Sequence, residues 1–155
     1  MNNICVEEVE LTEEILDLLI RMSEDWENEK SCHGYRKNER SDIEGNRIFL
    51  ARKDDLVLGY LFGHEEEAKN SSSIMPDGTK CFEVDELYVR PEYRNLGIGT
   101  QLFRYAEEAV SNEVEFVMVS TATKNWRSIL HFYLEELDMD FWSARLFKRT
   151  KADTE

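Results

Sequence analysis

The chain has 155 residues, enough for one domain with a real hydrophobic core. Apolar residues make up 41%, which excludes a wholly disordered chain despite 34% charged residues. The net charge of −14 argues against duplex nucleic acid as a partner, since phosphate binding needs a basic face, and favours cationic partners.

No apolar run reaches the length of a bilayer span, so no membrane association is expected. Met1-Asn2-Asn3-Ile4-Cys5 lacks the basic-then-apolar pattern of a signal peptide. Cys5, Cys32 and Cys81 match neither a zinc nor a redox spacing, and no metal site is expected. Free thiols in a reducing cytoplasm are the simplest expectation.

Ile4 to Leu11 alternates apolar residues with glutamates and predicts a first strand. Thr12-Glu13-Glu14 offers a helix cap and first-turn carboxylates, and Ile15, Leu18, Leu19 and Met22 make a helical stripe. Residues 23–46 are polar and irregular and are read as a second short helix or a loop. Trp26 and Tyr35 there, with Trp142 further on, are candidates for an acceptor pocket or for a core edge. Residues 1–46 hold 13 Asp+Glu against 5 Lys+Arg, a net of −8, more than half of the total. Arg47–Arg52 and Leu56–Gly63 predict a hairpin turning at Lys53-Asp54-Asp55. His64 to Lys80, with its serine run 71–73, reads as a loop or hairpin tip.

The next strand changes parity. Its apolar residues sit at Phe82 and Val84, then at Leu87 and Val89. A period-2 strand cannot do this without an extra residue, so a β-bulge is predicted near Asp85-Glu86, beside Glu83. Pro91 ends the strand. Arg94-Asn95-Leu96-Gly97-Ile98-Gly99-Thr100 then forms a glycine loop that opens a helix, carried by Ile98, Leu102, Phe103, Ala106 and Val110. Unpaired N–H groups and the positive helix end suit an anion, with Arg94 beside them. A dinucleotide fold would want a third glycine where Leu102 stands, and an acidic residue near Ser120-Thr121. Glu115–Val119 reads as a buried strand in a parallel pair. Trp126, Ile129, Leu130, Tyr133 and Leu137 predict a further helix, and Phe141–Lys148 a last aromatic strand.

The stretch 84–101, with Asn125 and Tyr133 downstream, resembles the GNAT superfamily of acyl-CoA-dependent N-acyltransferases. The family's Gln/Arg-x-x-Gly-x-Gly/Ala motif stands here as Arg94-Asn95-Leu96-Gly97-Ile98-Gly99, after Leu87-Tyr88-Val89 and Pro91-Glu92-Tyr93. The resemblance implies a single α/β (α+β) domain over 1–150 with a short charged tail, 151–155. Its mixed sheet would have six to seven strands with a splayed, bulged central strand, beside about four helices. It implies acetyl-CoA as co-substrate. The backbone of Leu87, Tyr88 and Val89 would pair with the pantetheine arm. The N–H groups of Asn95, Leu96, Gly97, Ile98, Gly99 and Thr100 would cradle the pyrophosphate. Asn125 would sit near the pantetheine end. Tyr133 would protonate the leaving thiolate, although a packed core tyrosine suits its stripe equally. Asp85 or Glu83 would be the general base or an amine-binding carboxylate. Asn125 to Tyr133 is one residue longer than the commoner spacing in the family.

The expected activity is N-acetyl transfer to a primary amine of a cationic small molecule, such as a polyamine or an aminoglycoside-like amine, in a ternary complex. Peptide or protein acetylation, or a non-catalytic acyl-CoA sensor, are the alternatives. A homodimer is an expectation of the resemblance alone.

Overall fold

Five strands among the described residues, β1 (Ile4–Val9), β2 (Arg47–Lys53), β3 (Leu56–Glu67), β4 (Lys80–Val89) and β5 (Phe116–Val119), form one sheet in the order β1-β2-β3-β4-β5. Three adjacent pairs are antiparallel and β4–β5 is parallel. The computed structural model describes residues 3–70 and 74–151. The serine run 71–73 therefore lies outside the described residues, as does the charged tail beyond Lys151. The chain divides into two compact units, Met1–Asn125 and Trp126–Glu155.

In the first unit, α1 (Glu13–Glu29) starts where Thr12 accepts a hydrogen bond from the Ile15 N–H at 3.2 Å. It runs about two turns past the apolar stripe, to Glu29, absorbing residues expected to be a second short helix or a loop. Trp26 and the buried Ser23 keep one face of that extension covered. Leu16, Leu19 and Met22 pack with Ile43, Ile48, Leu50, Val57, Tyr60, Phe62 and Tyr88. Each fully buried aliphatic or aromatic side chain here stabilises the fold by roughly 1.5–3 kcal/mol. The short α2 (Arg40–Ile43) contributes Ile43 to this core. The third helix, α3 (Ile98–Val110), buries Ile98, Leu102, Phe103, Ala106 and Val110 and packs on β1 to β4.

The β2–β3 hairpin turns at Asp54, which adopts a left-handed conformation. β3 continues to Glu67 and β4 begins at Lys80, so the stretch read as a loop or hairpin tip, 64–80, has strand at its two ends. The predicted bulge is present. Phe62 pairs with Glu86 and Gly63 with Val84, which leaves Asp85 as the extra residue. Gly63 is required there, because a Cβ would overlap the Glu83 carbonyl oxygen and lie 2.9 Å from the Phe82 ring.

The β4–β5 pairing ends at the same point. It runs from Cys81↔Phe116 to Val84↔Val119. Beyond β5 the chain turns to another partner: Cys32 bridges Thr123, and the His33 N–H donates to the Ala122 carbonyl at 2.9 Å. The Lys124 N–H donates to the Ser31 carbonyl at 2.7 Å. The sheet therefore splays where β4 is bulged.

The second unit holds α4 (Trp126–Leu130), continued by a π turn, His131–Glu136. The Leu137 N–H donates to the Phe132 carbonyl at 3.0 Å, an i→i−5 bond. A π turn takes up one more residue than an α turn.

Two expectations are corrected. Among the described residues the sheet has five strands, not six to seven, and Phe141–Lys148 forms no strand. Leu146 and Phe147 are exposed instead. Aromatic and β-branched composition reports a side-chain preference, whereas a strand needs a partner edge for its N–H and C=O groups.

Gly63→Ala is expected to lower stability by about 3 kcal/mol, because the new methyl meets backbone across the bulge. Urea denaturation measures it, and an unchanged midpoint would show that the strand pair relaxes freely.

Candidate active site

The bulge sets two consecutive carboxylates, Asp85 and Glu86, on one cleft. Asn38, Ser41, Asp42, Glu44, Asn46, Phe62 and His64 complete its lining, and its volume is about 350 Å³. In a regular strand, consecutive side chains point to opposite faces. The extra residue is what lets both reach the same space.

The two carboxylates are held differently. Asp85 Oδ2 lies 2.7 Å from His64 Nδ1, and the other ring nitrogen lies 3.1 Å from Glu66 Oε1. The hydrogen bond to Asp85 raises the His64 pKa above its ordinary value, reinforced by the charges of Asp85 and Glu66. Glu86 is mostly buried. Its Oε1 accepts from the Tyr60 hydroxyl at 2.8 Å, the Asn38 amide at 2.9 Å and the Tyr35 hydroxyl at 3.2 Å. Burial raises its pKa, and these three donors work against that rise. Asn38 is anchored in turn, its N–H donating to Ser23 Oγ at 2.9 Å. Glu83 is half-buried. Desolvation raises its pKa first, then the charges of Glu66 and Asp85.

The glycine loop follows a short 3₁₀ turn, Pro91–Tyr93. Asn95 (φ 63°) and Gly97 (φ 84°) are both left-handed. Nothing stands within 4 Å of a Cβ built on Gly97, so its glycine answers to backbone conformation and not to space. α3 starts immediately after Gly97, with no side-chain cap and no acidic residue in its first turn. Its first N–H groups and positive dipole end are therefore left to solvent or a ligand. Arg94 closes the loop onto the scaffold. Its Nε donates to the Val89 carbonyl at 2.8 Å, and its guanidinium pairs with Glu29 at 2.9 Å. Glu29 also accepts from the Tyr88 hydroxyl at 2.6 Å. Trp26 stacks on both Tyr35 and Tyr88, with ring centroids 4.4 and 5.1 Å apart.

A sequence model of the acetyltransferase (GNAT) family matches residues 12–139, most of the chain and all of this geometry. The chain belongs to the acetyltransferase (GNAT) family. An N-acetyltransferase of uncharacterised role, from the pepI 3′ region of Lactobacillus delbrueckii subsp. lactis, is 33% identical over 64 residues. That match takes in 41% of this chain and 35% of the relative, so it spans about a third of the relative's length. Among solved structures, the aminoglycoside acetyltransferase meta-AAC0020, from an uncultured soil metagenomic sample, superposes with a TM-score of 0.67 at 16% identity, covering 97% of this chain and 98% of that one. A transcriptional regulator from Bacillus halodurans C-125 gives 0.69 at 18% identity, covering 94% and 99%. AAC(6′)-Iy, bound to the bisubstrate analogue CoA-S-monomethyl-acetylneamine, gives 0.67 at 12% identity, covering 96% and 99%. At these identities the likeness establishes the fold.

Within this GNAT fold, the residues expected to bind the coenzyme fall on three segments of the first unit. Leu87, Tyr88 and Val89 occupy the part of β4 that has parted from β5, and Asn95 to Thr100 form the loop and first turn of α3. The Asn125 N–H donates to Thr123 Oγ1 at 3.1 Å at the end of the segment leaving β5. Tyr133 lies in the π turn of the second unit. Of the two candidate bases, Asp85 lines the cleft and Glu83 is not among its lining residues. His64, Asn38 and Tyr60 were not read from the sequence, Tyr35 was read only as a candidate for an acceptor pocket or a core edge, and Glu86 only as one of three carboxylates beside the bulge. Tyr35 and Asn38 reach Glu86 from about fifty positions away, and only the β3–β4 register sets His64 and Tyr60 against the bulge. Among the described residues no three His, Cys, Asp or Glu side chains come together as metal ligands.

Because the folded pKa of His64 is raised above 6.5, its pairing contributes stability below that value and loses it as pH rises through the folded pKa. His64 is 39% exposed, so the effect is small and salt-sensitive. The stability difference between the native chain and His64→Gln should be largest below about pH 6 and shrink above the folded pKa. Urea midpoints across pH measure this, and a difference that grows with pH would contradict the pairing.

Proposed function

We propose that this chain is an acetyl-CoA-dependent N-acetyltransferase acting on a primary amine of a cationic small molecule. The observation that carries the reading is the parting of β4 from β5 at Val84 and Val119, beside the uncapped start of α3. The parted edge offers backbone groups of Leu87 to Val89 to an amide-bearing arm, as an added strand would use them. The left-handed Asn95 and Gly97 and the free first turn of α3 suit a pyrophosphate. Arg94, tied to Val89 and Glu29, holds that loop in shape.

Acetyl-CoA would supply the acyl group as an activated thioester. The acceptor amine arrives protonated at neutral pH and must lose a proton before its nitrogen can attack. Asp85, in the cleft and fixed by His64, would take that proton directly or through water, with Glu83 the second candidate. A backbone N–H near Val89 would face the developing oxyanion. Tyr133 would give its hydroxyl proton to the departing sulfur, a role that rests on the family resemblance. Asp42, Glu44, Asp85 and Glu86 all line the cleft, which suits a cationic acceptor. Three free cysteines suit a cytoplasmic setting, and no helix among the described residues is long and apolar enough to cross a membrane. A homodimer belongs to the same reading by resemblance.

Free-thiol release from acetyl-CoA over a panel of amines, aminoglycosides and peptides tests the function. Turnover with small cationic amines is the expected result, and Asp85→Asn should lower kcat by about 100-fold or more. Activity on peptides alone would assign the chain to protein acetylation. Acetyl-CoA binding without thiol release from any acceptor would assign it to acyl-CoA sensing.

A further inference from the structure

Arg94 is engaged through each of its nitrogens. Its Nε–H donates to the Val89 carbonyl at 2.8 Å. Nη1 meets Glu29 Oε1 at 2.9 Å, and Nη2 donates to Glu29 Oε2 at 3.0 Å. Guanidinium and carboxylate thus meet as two forks, a geometry that a lysine cannot reproduce. The Tyr88 hydroxyl adds a further bond to Glu29 Oε2 at 2.6 Å, and the guanidinium carbon lies 5.4 Å from the centre of the Tyr88 ring. The Arg90 N–H donates across to the Leu58 carbonyl of β3 at 2.9 Å. Alternation in an antiparallel ladder turns the Val89 carbonyl the other way, to the edge that β5 has left. Arg94 therefore occupies the end of that open edge and ties the glycine loop to it.

Glu29 is ill suited to its own helix. It is the last residue of α1, whose final turn holds no basic residue. A carboxylate at the negative end of a helix dipole is disfavoured. What Glu29 gains lies outside its helix, in Arg94 and Tyr88. The pairing also bears on the part that Arg94 can play. A guanidinium reserved for an anion gains nothing from a carboxylate that cancels its charge. We propose that Glu29 is a positioning residue for the coenzyme diphosphate: it holds Arg94 as a brace between β4 and the glycine loop, so that backbone N–H groups, and not the Arg94 charge, take the anion. This rests on the coenzyme site of the acetyltransferase reading. The brace keeps the left-handed Asn95 and Gly97 in the conformation that shapes the N–H array at the start of α3. Glu29 acts on the coenzyme only through Arg94.

The test compares acetyl-CoA with S-acetylpantetheine, which carries the same thioester and arm but no diphosphate and no nucleotide. Thiol release is followed with the amine that the native chain turns over fastest. Glu29→Gln removes the charge at nearly constant shape. It should raise KM for acetyl-CoA about fivefold or more, leave kcat within about twofold, and leave kcat/KM for S-acetylpantetheine nearly unchanged. A lower KM for acetyl-CoA would mean that the released Arg94 grips the phosphate, and overturns the proposal. Equal losses with both thioesters overturn it as well, since they mark a general structural defect. In an Arg94→Gln background, Glu29→Gln should add less than about twofold, and losses that simply multiply overturn the proposal. Should Glu29→Gln fail to fold, Arg94→Lys keeps the charge and loses the fork. It should weaken acetyl-CoA about as much, and retained affinity overturns the proposal. Calorimetric titration with coenzyme A separates the two readings. A native chain that binds coenzyme A more tightly than Glu29→Gln does, yet releases thiol to no amine, keeps the positioning role and loses the acetyltransferase. Turnover with equal coenzyme A affinity in both proteins keeps the acetyltransferase and removes the positioning role. A native chain that binds no coenzyme A overturns both.

Discussion

The extra residue in β4 at Asp85 is the constraint on which the rest of the site depends. Across it, Gly63 must lack a side chain, because the Glu83 carbonyl occupies the place a Cβ would take. Alongside it, the β4–β5 ladder stops at Val84↔Val119. The chain after β5 then satisfies its backbone with residues 31–33. One inserted residue thus changes the direction of two side chains, ends one ladder and opens a strand edge.

The elements around the break are tied to it from both ends of the first unit. Glu29, at the end of α1, accepts from Tyr88 and pairs with Arg94, so the helix, the open half of β4 and the glycine loop share one carboxylate. Trp26 stacks between Tyr35 and Tyr88. Ser23 positions Asn38, which in turn reaches Glu86. These contacts explain why α1 extends beyond its apolar stripe. Its last turns carry polar and aromatic residues that position the cleft wall, and a stripe-based reading has no rule for them. Much of the acidity is likewise built in. Glu13, Glu29, Asp42 and Glu44 balance arginines, which leaves Glu86 as the cleft carboxylate held by neutral groups alone.

Some of this was legible in the residues. The parity change from Phe82 and Val84 to Leu87 and Val89 located the bulge, because strand alternation admits no other reading without an insertion. Gly97-Ile98-Gly99 located the start of α3, since a left-handed residue before a strongly amphipathic run is glycine's role. Phe141–Lys148 shows the limit. Its composition suits a strand, but composition carries no information about whether a free edge lies alongside. The π turn at His131–Glu136 had no such signal, since the apolar stripe from Trp126 to Leu137 reads as one ordinary helix.

The strand, glycine loop and helix start over 84–101, the family and the kind of chemistry were determined by the sequence itself, because they rest on local rules. These are alternation in a strand, backbone freedom at glycine, and the unpaired N–H groups of a helix start. What only the tertiary structure decided is which carboxylates share the cleft and what each is paired with. Asp85 with His64, and Glu86 with Tyr35, Asn38 and Tyr60, are partnerships made across strand register and loop closure. Residues 21 to 51 positions apart meet only after the chain has folded. The charge state and reach of a carboxylate depend on those partners, so its part in the reaction could not be assigned before they were known.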